Sequence, residues 1–304
     1  GELASTISMS GGVLDADNSS TLSGTLTQAG SITIDVADGK TLTYSGASFN
    51  LGAYTLTMSG EGAFSNSNAL VLNDASSKLL LDSITVGSVS TSLASLGLDV
   101  DNNSTVSSLT VAHTTPVSIA SGKALSGAIT VTAGSIKLGE AGTLASSVSM
   151  SGGTLDVDKT LTLSGALSHT ADITIDVKAG EVLTYSGAAV SLGAKTLTLS
   201  GGGTFSNTNA LVLNDADSLL SLAGILTIGD VDGTAASNTG KGIQVSSSAT
   251  LGDYDLSAES YLAIANLQTL AGQLNLKSGG ELNISGLGRY TGDIALAGGK
   301  FSAT

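Results

Sequence analysis

The chain has 304 residues, with 40 Gly, one Pro, six Tyr, four Phe and neither Cys nor Trp. Its formal net charge is −14, from 25 acidic against 11 basic residues, and Arg289 is the single arginine. No basic surface is available to displace counterions from nucleic acid or to hold anionic lipid. No thiolate can bridge or ligate a metal, and the scarcity of bulky side chains suits a thin core of stacked layers.

Taken from the N-terminus, the chain shows short alternations rather than helical periods. Ile7-Ser8-Met9, Ile32-Thr33-Ile34-Asp35-Val36, Thr41-Leu42-Thr43-Tyr44 and Thr55-Leu56-Thr57-Met58 each put apolar residues at every second position, the pattern of a half-buried strand. Asp38-Gly39, Ser45-Gly46, Ser59-Gly60 and Asn73-Asp74 close these runs, as tight corners require. The alternation continues through Leu98-Asp99-Val100, Leu109-Thr110-Val111, Val117-Ser118-Ile119, Ile129-Thr130-Val131 and Ile136-Lys137-Leu138.

Residues 1–84 then return, without a gap, at 142–225. Met9-Ser10-Gly11-Gly12 reappears as Met150-Ser151-Gly152-Gly153, and Leu42 to Ala47 as Leu183 to Ala188. Roughly 50 of the 84 positions are identical, the mark of a tandem duplication. Leu14, Leu22, Leu26, Ile32, Ile34, Leu42, Leu56, Leu70, Leu72 and Leu81 keep their identity. Gln28 becomes His169, Lys40 becomes Glu181, Tyr54 becomes Lys195 and Glu61 becomes Gly202. Apolar positions held while their neighbours change charge predict an inward/outward pleat. Residues 253–304 read as less regular: the spacing Leu256, Leu262, Ile264, Leu267, Leu270 allows a helical turn or a longer loop before alternation returns at Leu274, Leu282 and Ile294.

Short strands, Gly-rich corners and end-to-end duplication predict an all-β chain, a right-handed parallel β-helix (β-solenoid) forming a single domain over 1–304. At ~20–25 residues per coil it would hold about 12–15 coils. Gly1-Glu2-Leu3-Ala4 already matches Gly142-Thr143-Leu144-Ala145, so the chain reads as a fragment of a longer repetitive protein. It carries no leader-like segment and no apolar run near the ~18 residues of a membrane span, and so no direct membrane insertion is expected of it.

Gly288-Arg289-Tyr290-Thr291-Gly292-Asp293-Ile294-Ala295-Leu296-Ala297-Gly298-Gly299-Lys300-Phe301 resembles the autotransporter-associated β-strand repeat, with Arg289 where Asn is usual. Thr196-Leu197-Thr198-Leu199-Ser200-Gly201 and its partner from Thr55 resemble the stretch that precedes it. The resemblance implies a right-handed β-helix on a secreted or surface-exposed bacterial protein: an autotransporter passenger, a filamentous-haemagglutinin-like adhesin or a giant repetitive cell-surface protein.

Candidate chemistry is thin. His113 and His169 are the only histidines, there is no G-x-S-x-G elbow, and Gln28 stands where His169 does in the other copy, against a nucleophilic triad. Gly39-Lys40-Thr41 lacks the first glycine of a phosphate loop. The acidic pairs Asp15/Asp17, Asp99/Asp101, Asp156/Asp158 and Asp230/Asp232 would project to one face if both members lie on a strand, where they could share a calcium ion or act as a glycosidase dyad. Asn66/Asn68, Asn207/Asn209, Asn73 and Asn214 read as amide ladders at corners. The Thr-x-Thr triplets Thr41/Thr43, Thr55/Thr57, Thr160/Thr162 and Thr196/Thr198 resemble those of ice-binding solenoids, but their spacing, 14 residues in one place and 36 in another, is too irregular for the one triplet per coil that a grid requires.

No residue is assigned a catalytic, cofactor-binding or metal-ligating role. The expectation is a non-enzymatic structural or adhesive stalk on a bacterial surface, extracellular, meeting glycans or proteins of another cell and able to associate end to end. A β-helical polysaccharide lyase or hydrolase is the alternative, an ice-binding solenoid the lesser one.

Overall fold

The computed structural model describes residues 1–224 and 227–303. These form an all-β, right-handed parallel β-helix, without an α-helix among them. Packing divides the chain into two units, Gly1–Ser149 and Met150–Thr304. Ile225, the last position of the second repeat copy, lies outside the described residues.

In the first unit each coil contributes up to three strand segments, in the order of Thr41–Tyr44, Phe49–Asn50 and Thr55–Ser59. We call these the first, second and third faces. Among the described residues every strand pairing is parallel, because each strand meets its equivalent one coil on rather than its chain neighbour; one isolated antiparallel bridge joins Lys178 and Gly202 in the second unit. On the third face the inward residues form a ladder, Ile32, Leu56, Leu79, Leu98 and Val117 in register, with Ile34, Met58, Leu81, Val100 and Ile119 beside it. All ten are buried. The outward residues between them are polar or half-exposed, which is the period of two that the sequence carries. Beyond Leu81 the first and second faces merge into single long strands, Thr85–Thr91, Ser104–Val111 and Ala124–Val131, with a register shift between Val106 and Leu109.

The second unit repeats the scheme. Its third face stacks Ile173, Leu197, Leu220, Ile243, Leu262 and Ile284. The segment for which a helical turn was open consists of strands, Ala249–Leu256, Glu259–Ile264 and Thr269–Leu276. Leu267, which suggested the helical spacing, sits at a corner with a φ of 64° and is 88% exposed. It belongs to no apolar stripe.

One corner recurs three times. In Tyr44-Ser45-Gly46-Ala47 the buried Tyr44 hydroxyl donates to Ala47 O at 2.7 Å and accepts from Leu26 N at 3.2 Å. Tyr185 does the same with Ala188 O and Leu167 N, at 2.5 and 3.1 Å. The Tyr290 hydroxyl lies 3.0 Å from Asp293 O and 2.6 Å from Gly272 O of the neighbouring coil, its single proton shared between the two carbonyls. The glycine two residues on is required by space. A Cβ on Gly46 would lie 2.4 Å from Gly24 O and 2.7 Å from the Tyr44 ring, and Gly187 and Gly292 are as tightly enclosed. The Tyr-Thr-Gly that carries the family resemblance is therefore the same turn as Tyr-Ser-Gly in both repeat copies. Each of the first two tyrosines also stacks on a phenylalanine of the next coil, Tyr44 on Phe64 at 5.9 Å and Tyr185 on Phe205 at 6.1 Å.

Candidate functional site

The side chains singled out from the sequence mostly serve the coil itself. Asn66 is buried and donates through Nδ2 to Asn68 O and to Ser88 O of the next coil, and Asn207 does so to Asn209 O and Asp230 O. Asn68 and Asn209 reach back to Gly46 O and Gly187 O. Asn73 and Asn214 accept from Gly52 N and Gly193 N. In place of the expected amide-on-amide ladders these are side-chain-to-backbone clamps, which satisfy main-chain donors and acceptors at the corners.

The acidic pairs also differ from the expectation. Asp15, Asp99 and Asp156 lie on strands, but Asp17, Asp101 and Asp158 fall just past the strand ends, so the alternation that would align them is broken. Asp99 instead forms an ion pair with Lys78 of the preceding coil. Asp230 precedes the strand Val231–Gly233 and accepts from Asp253 N. Among the described residues no group of three or more His, Asp or Glu side chains converges as a metal site would.

The Thr-x-Thr triplets stack only in part. Thr43 faces Thr21, Thr57 faces Thr33, Thr162 faces Thr184 and Thr198 faces Thr174, but Thr41 faces Ala63, Thr55 and Thr57 face Lys78 and Leu80 on the other side, and Thr196 and Thr198 face Leu219 and Ser221. His113 is exposed at a corner, and His169 is half-buried with Nδ1 3.0 Å from Ala171 O.

What the fold does bring together was not visible as a motif. On the second face of the second unit, Asp232, Asp255 and Asn275 occupy equivalent positions on successive coils. Asp255 accepts from Lys277 Nζ and Asn275 Nδ2, both at 2.7 Å. Thr234 and Ser257 complete a cavity of about 130 Å³. Burial pushes the Asp232 carboxyl above its ordinary pKa, with the Asp255 and Asp230 charges adding and Lys277 opposing. Burial works in the same direction on Asp255, but the hydrogen bonds from Lys277 and Asn275 and the lysine charge outweigh it, and its pKa falls. The hydrogen bond and charge of Asp255 in turn raise Lys277. One carboxyl inclined to hold a proton thus sits one strand spacing from one held ionised. The cavity between them is smaller than the ~300 Å³ at which small-molecule sites begin.

A second concavity lies on the third face of the same unit. Lys241, Tyr261, Asn283 and Ser285 line a groove of about 400 Å³ together with Thr239 and Ala263. Tyr261 pairs in register with Asn283, and Asn283 donates to Glu259 at 2.9 Å. Tyr261 is half-exposed, unlike the buried Tyr44, Tyr185 and Tyr254. None of Asp255, Lys277, Tyr261 or Asn283 is marked by local sequence. Their neighbours are some twenty positions away, and only the coil length at that point brings them into line.

No helix among the described residues is long and apolar enough to cross a membrane. Comparison of the chain with protein-family models, with curated proteins and with solved structures finds no match.

Proposed function

We propose that this chain is a non-catalytic structural or adhesive segment of a large repetitive protein, of the autotransporter or filamentous-haemagglutinin kind, exposed outside a bacterial cell. The observation that carries this reading is the pair of repeat copies. The residues kept between them are inward leucines and isoleucines, corner tyrosines and glycines, and asparagine clamps, all of which serve coil-on-coil stacking. Outward strand residues such as Thr33, Asp35, Thr43 and Thr57 also recur, as Thr174, Asp176, Thr184 and Thr198, while corner residues change charge, Lys40 to Glu181 and Tyr54 to Lys195 among them. A chain whose constant part is its stacking machinery gains length by adding coils, and the Tyr-Thr-Gly corner at Tyr290 supports the family.

The competing enzymatic reading rests on Asp232 and Asp255, whose opposed pKa directions are those of an acid and a base. Incubating the purified chain with acidic and neutral polysaccharides and measuring new reducing ends tests it. No release supports the scaffold reading. Release that disappears in Asp232→Asn and in Asp255→Asn overturns it.

For the adhesive part of the proposal, the Tyr261 groove is the favoured contact. It combines one face of an aromatic ring with amide, hydroxyl and ammonium groups, the set that recognises a neutral or acidic sugar. A glycan array probed with the chain and with Tyr261→Ala is the test. Binding lost in the variant supports a glycan contact there, and equal profiles remove it.

A further inference from the structure

We infer that the groove at Tyr261 selects a glycan bearing one carboxylated pyranose among neutral sugars, with the sugar ring stacked on Tyr261 and its carboxylate paired with Lys241. This rests on the reading of the groove as a glycan contact and names the class of sugar it takes.

The groove is built by one overlong connection. Gly233 pairs with Leu256 and Ile243 with Leu262. Between these matched positions one coil spends nine residues, 234–242, and the next coil five, 257–261. The coil before spends six, 214–219, between Leu213 opposite Gly233 and Leu220 opposite Ile243. Extra length at a solenoid corner has to stand out from the stack, and such insertions collect on binding faces. This one is pinned on both sides. Asn238 N donates to Ala216 O of the preceding coil at 2.7 Å, and Ser237 N to Glu259 O of the following one at 2.9 Å. Gln244 Nε2 holds Gly240 O at 2.8 Å. A loop tied to both neighbours is set before a ligand arrives, so binding loses little ordering entropy.

The floor suits a sugar ring. Gly242 precedes Tyr261 in its row, and a Cβ there would lie 2.3 Å from Tyr261 O. That position therefore brings no side chain against the phenol ring. Asn283 stands in register on the other side. The C–H face of a pyranose packs on such a ring, while its hydroxyls meet Asn283, Ser285 and Thr239 of the lining.

Charge decides between a neutral and an acidic sugar. Acidic residues outnumber basic ones 25 to 11, and Lys78, Lys277 and Lys300 each lie on a carboxylate of a neighbouring coil. Lys241 engages no carboxylate among the described residues, and none lines the groove. Glu259, on the strand of Tyr261, already accepts from Asn283. A lone ammonium beside an aromatic platform attracts one anionic group. It does not hold a polyanion. The net charge is −14 and the lining has no second cation, so each further carboxylate meets repulsion.

Ligand-observed NMR titration of the full chain at about 50 mM salt tests this with lactose, sialyllactose, a xylo-oligosaccharide carrying one glucuronate, and tetragalacturonate. At least one of the two singly charged probes should bind about three- to tenfold more tightly than lactose and than tetragalacturonate. Which of them does so separates a sialate from a hexuronate as the source of the charge. Lys241→Gln should bring that probe to the lactose level, and added salt should narrow the gap. Tyr261→Ala should lose every probe, with circular dichroism unchanged in both variants. Equal affinities for lactose and the charged probes, all lost in Tyr261→Ala, overturn the acidic preference and leave the groove a glycan contact. A preference that survives Lys241→Gln, or tightest binding of tetragalacturonate, overturns it too. Binding of no probe, or binding that Tyr261→Ala leaves intact, removes the groove as a glycan contact and this inference with it.

Discussion

The two repeat copies, 1–84 and 142–225, are the same stretch solved twice, and their differences separate what the coil needs from what it tolerates. Tyr44 and Tyr185, Phe64 and Phe205, Ser77 and Ser218 make the same contacts in each copy, and Asn66 and Asn207 share their two donated bonds, but only Asn207 Oδ1 also accepts, from Gly229 N. Gln28 and His169 do not: Gln28 donates to Leu51 O at 2.6 Å, whereas His169 turns to Ala171 O. Ser31, which caps Thr55 N, is replaced by Asp172 capping Thr196 N. The chemistry of a corner is fixed where it satisfies buried backbone and free where water can take over.

The strongest way to break this symmetry is in the core. Phe64→Ala and Phe205→Ala each remove a fully buried ring and should each cost about 3–5 kcal/mol of unfolding free energy, measured by denaturant titration. If the copies are energetically equivalent, the two losses agree within ~0.5 kcal/mol. Asn66→Ala and Asn207→Ala come next. Each strips two carbonyl contacts from a buried corner and should cost about 1–3 kcal/mol, with the larger loss at Asn207, which also accepts from Gly229 N.

The comparison also exposes a position where one copy is worse. Glu61 sits at a φ of 64°, and its counterpart Gly202 at 81°. A side chain there carries left-handed strain that glycine avoids. Glu61→Gly should stabilise the first copy by about 0.5–1 kcal/mol, with the reverse sign for Gly202→Glu. A rise in melting temperature for the first and a fall for the second checks both at once.

The smallest expected effect contrasts the repeat copies with the coils that follow them. In both copies the strand carboxylate, Asp35 or Asp176, is met by a serine hydroxyl of the next coil, Ser59 or Ser200. At Asp232 the next coil offers Asp255 instead. A raised native pKa favours folding while the carboxyl is protonated, and that contribution is lost as pH rises through the native value. The lowered Asp255 runs the other way: its contribution is present above its unfolded pKa and lost as pH falls through its native one. Asp232→Asn should therefore stabilise at neutral pH by about 0.5 kcal/mol, allowing for solvent screening, and the gain should vanish in acid. Melting curves between about pH 3 and pH 7 read this out. A gain that grows towards low pH would contradict the assigned direction.

Much of the fold was legible because inward Leu, Ile and Val alternate strictly, and a one-residue slip would turn every one of them outward. Ile32, Leu56 and Leu79 needed no partner information to be read as core. The corners were legible as corners from Gly46 and Gly60, but their mechanism was not. That Tyr44 closes its own turn and caps Leu26 depends on a hydroxyl reaching a carbonyl three residues on, which periodicity does not encode. Asp99 and Asp101 misled because a strand ending at Val100 turns the second carboxylate off the face. The Asp232–Asp255–Lys277 cluster stayed hidden because its members are joined across coils, and coil length varies: successive third-face ladder positions Ile32, Leu56, Leu79 and Leu98 are unevenly spaced in sequence.

Because each coil pairs with the one that follows it only some twenty residues later, every ring of backbone closes a loop of nearly the same size. The entropy lost at each closure is then nearly constant along the chain, with no late step that waits for distant segments to meet. A polypeptide delivered from one end, as from a ribosome or through a narrow pore, can lock turn upon turn as soon as each next length has cleared. The growing edge of what has already folded serves as the template.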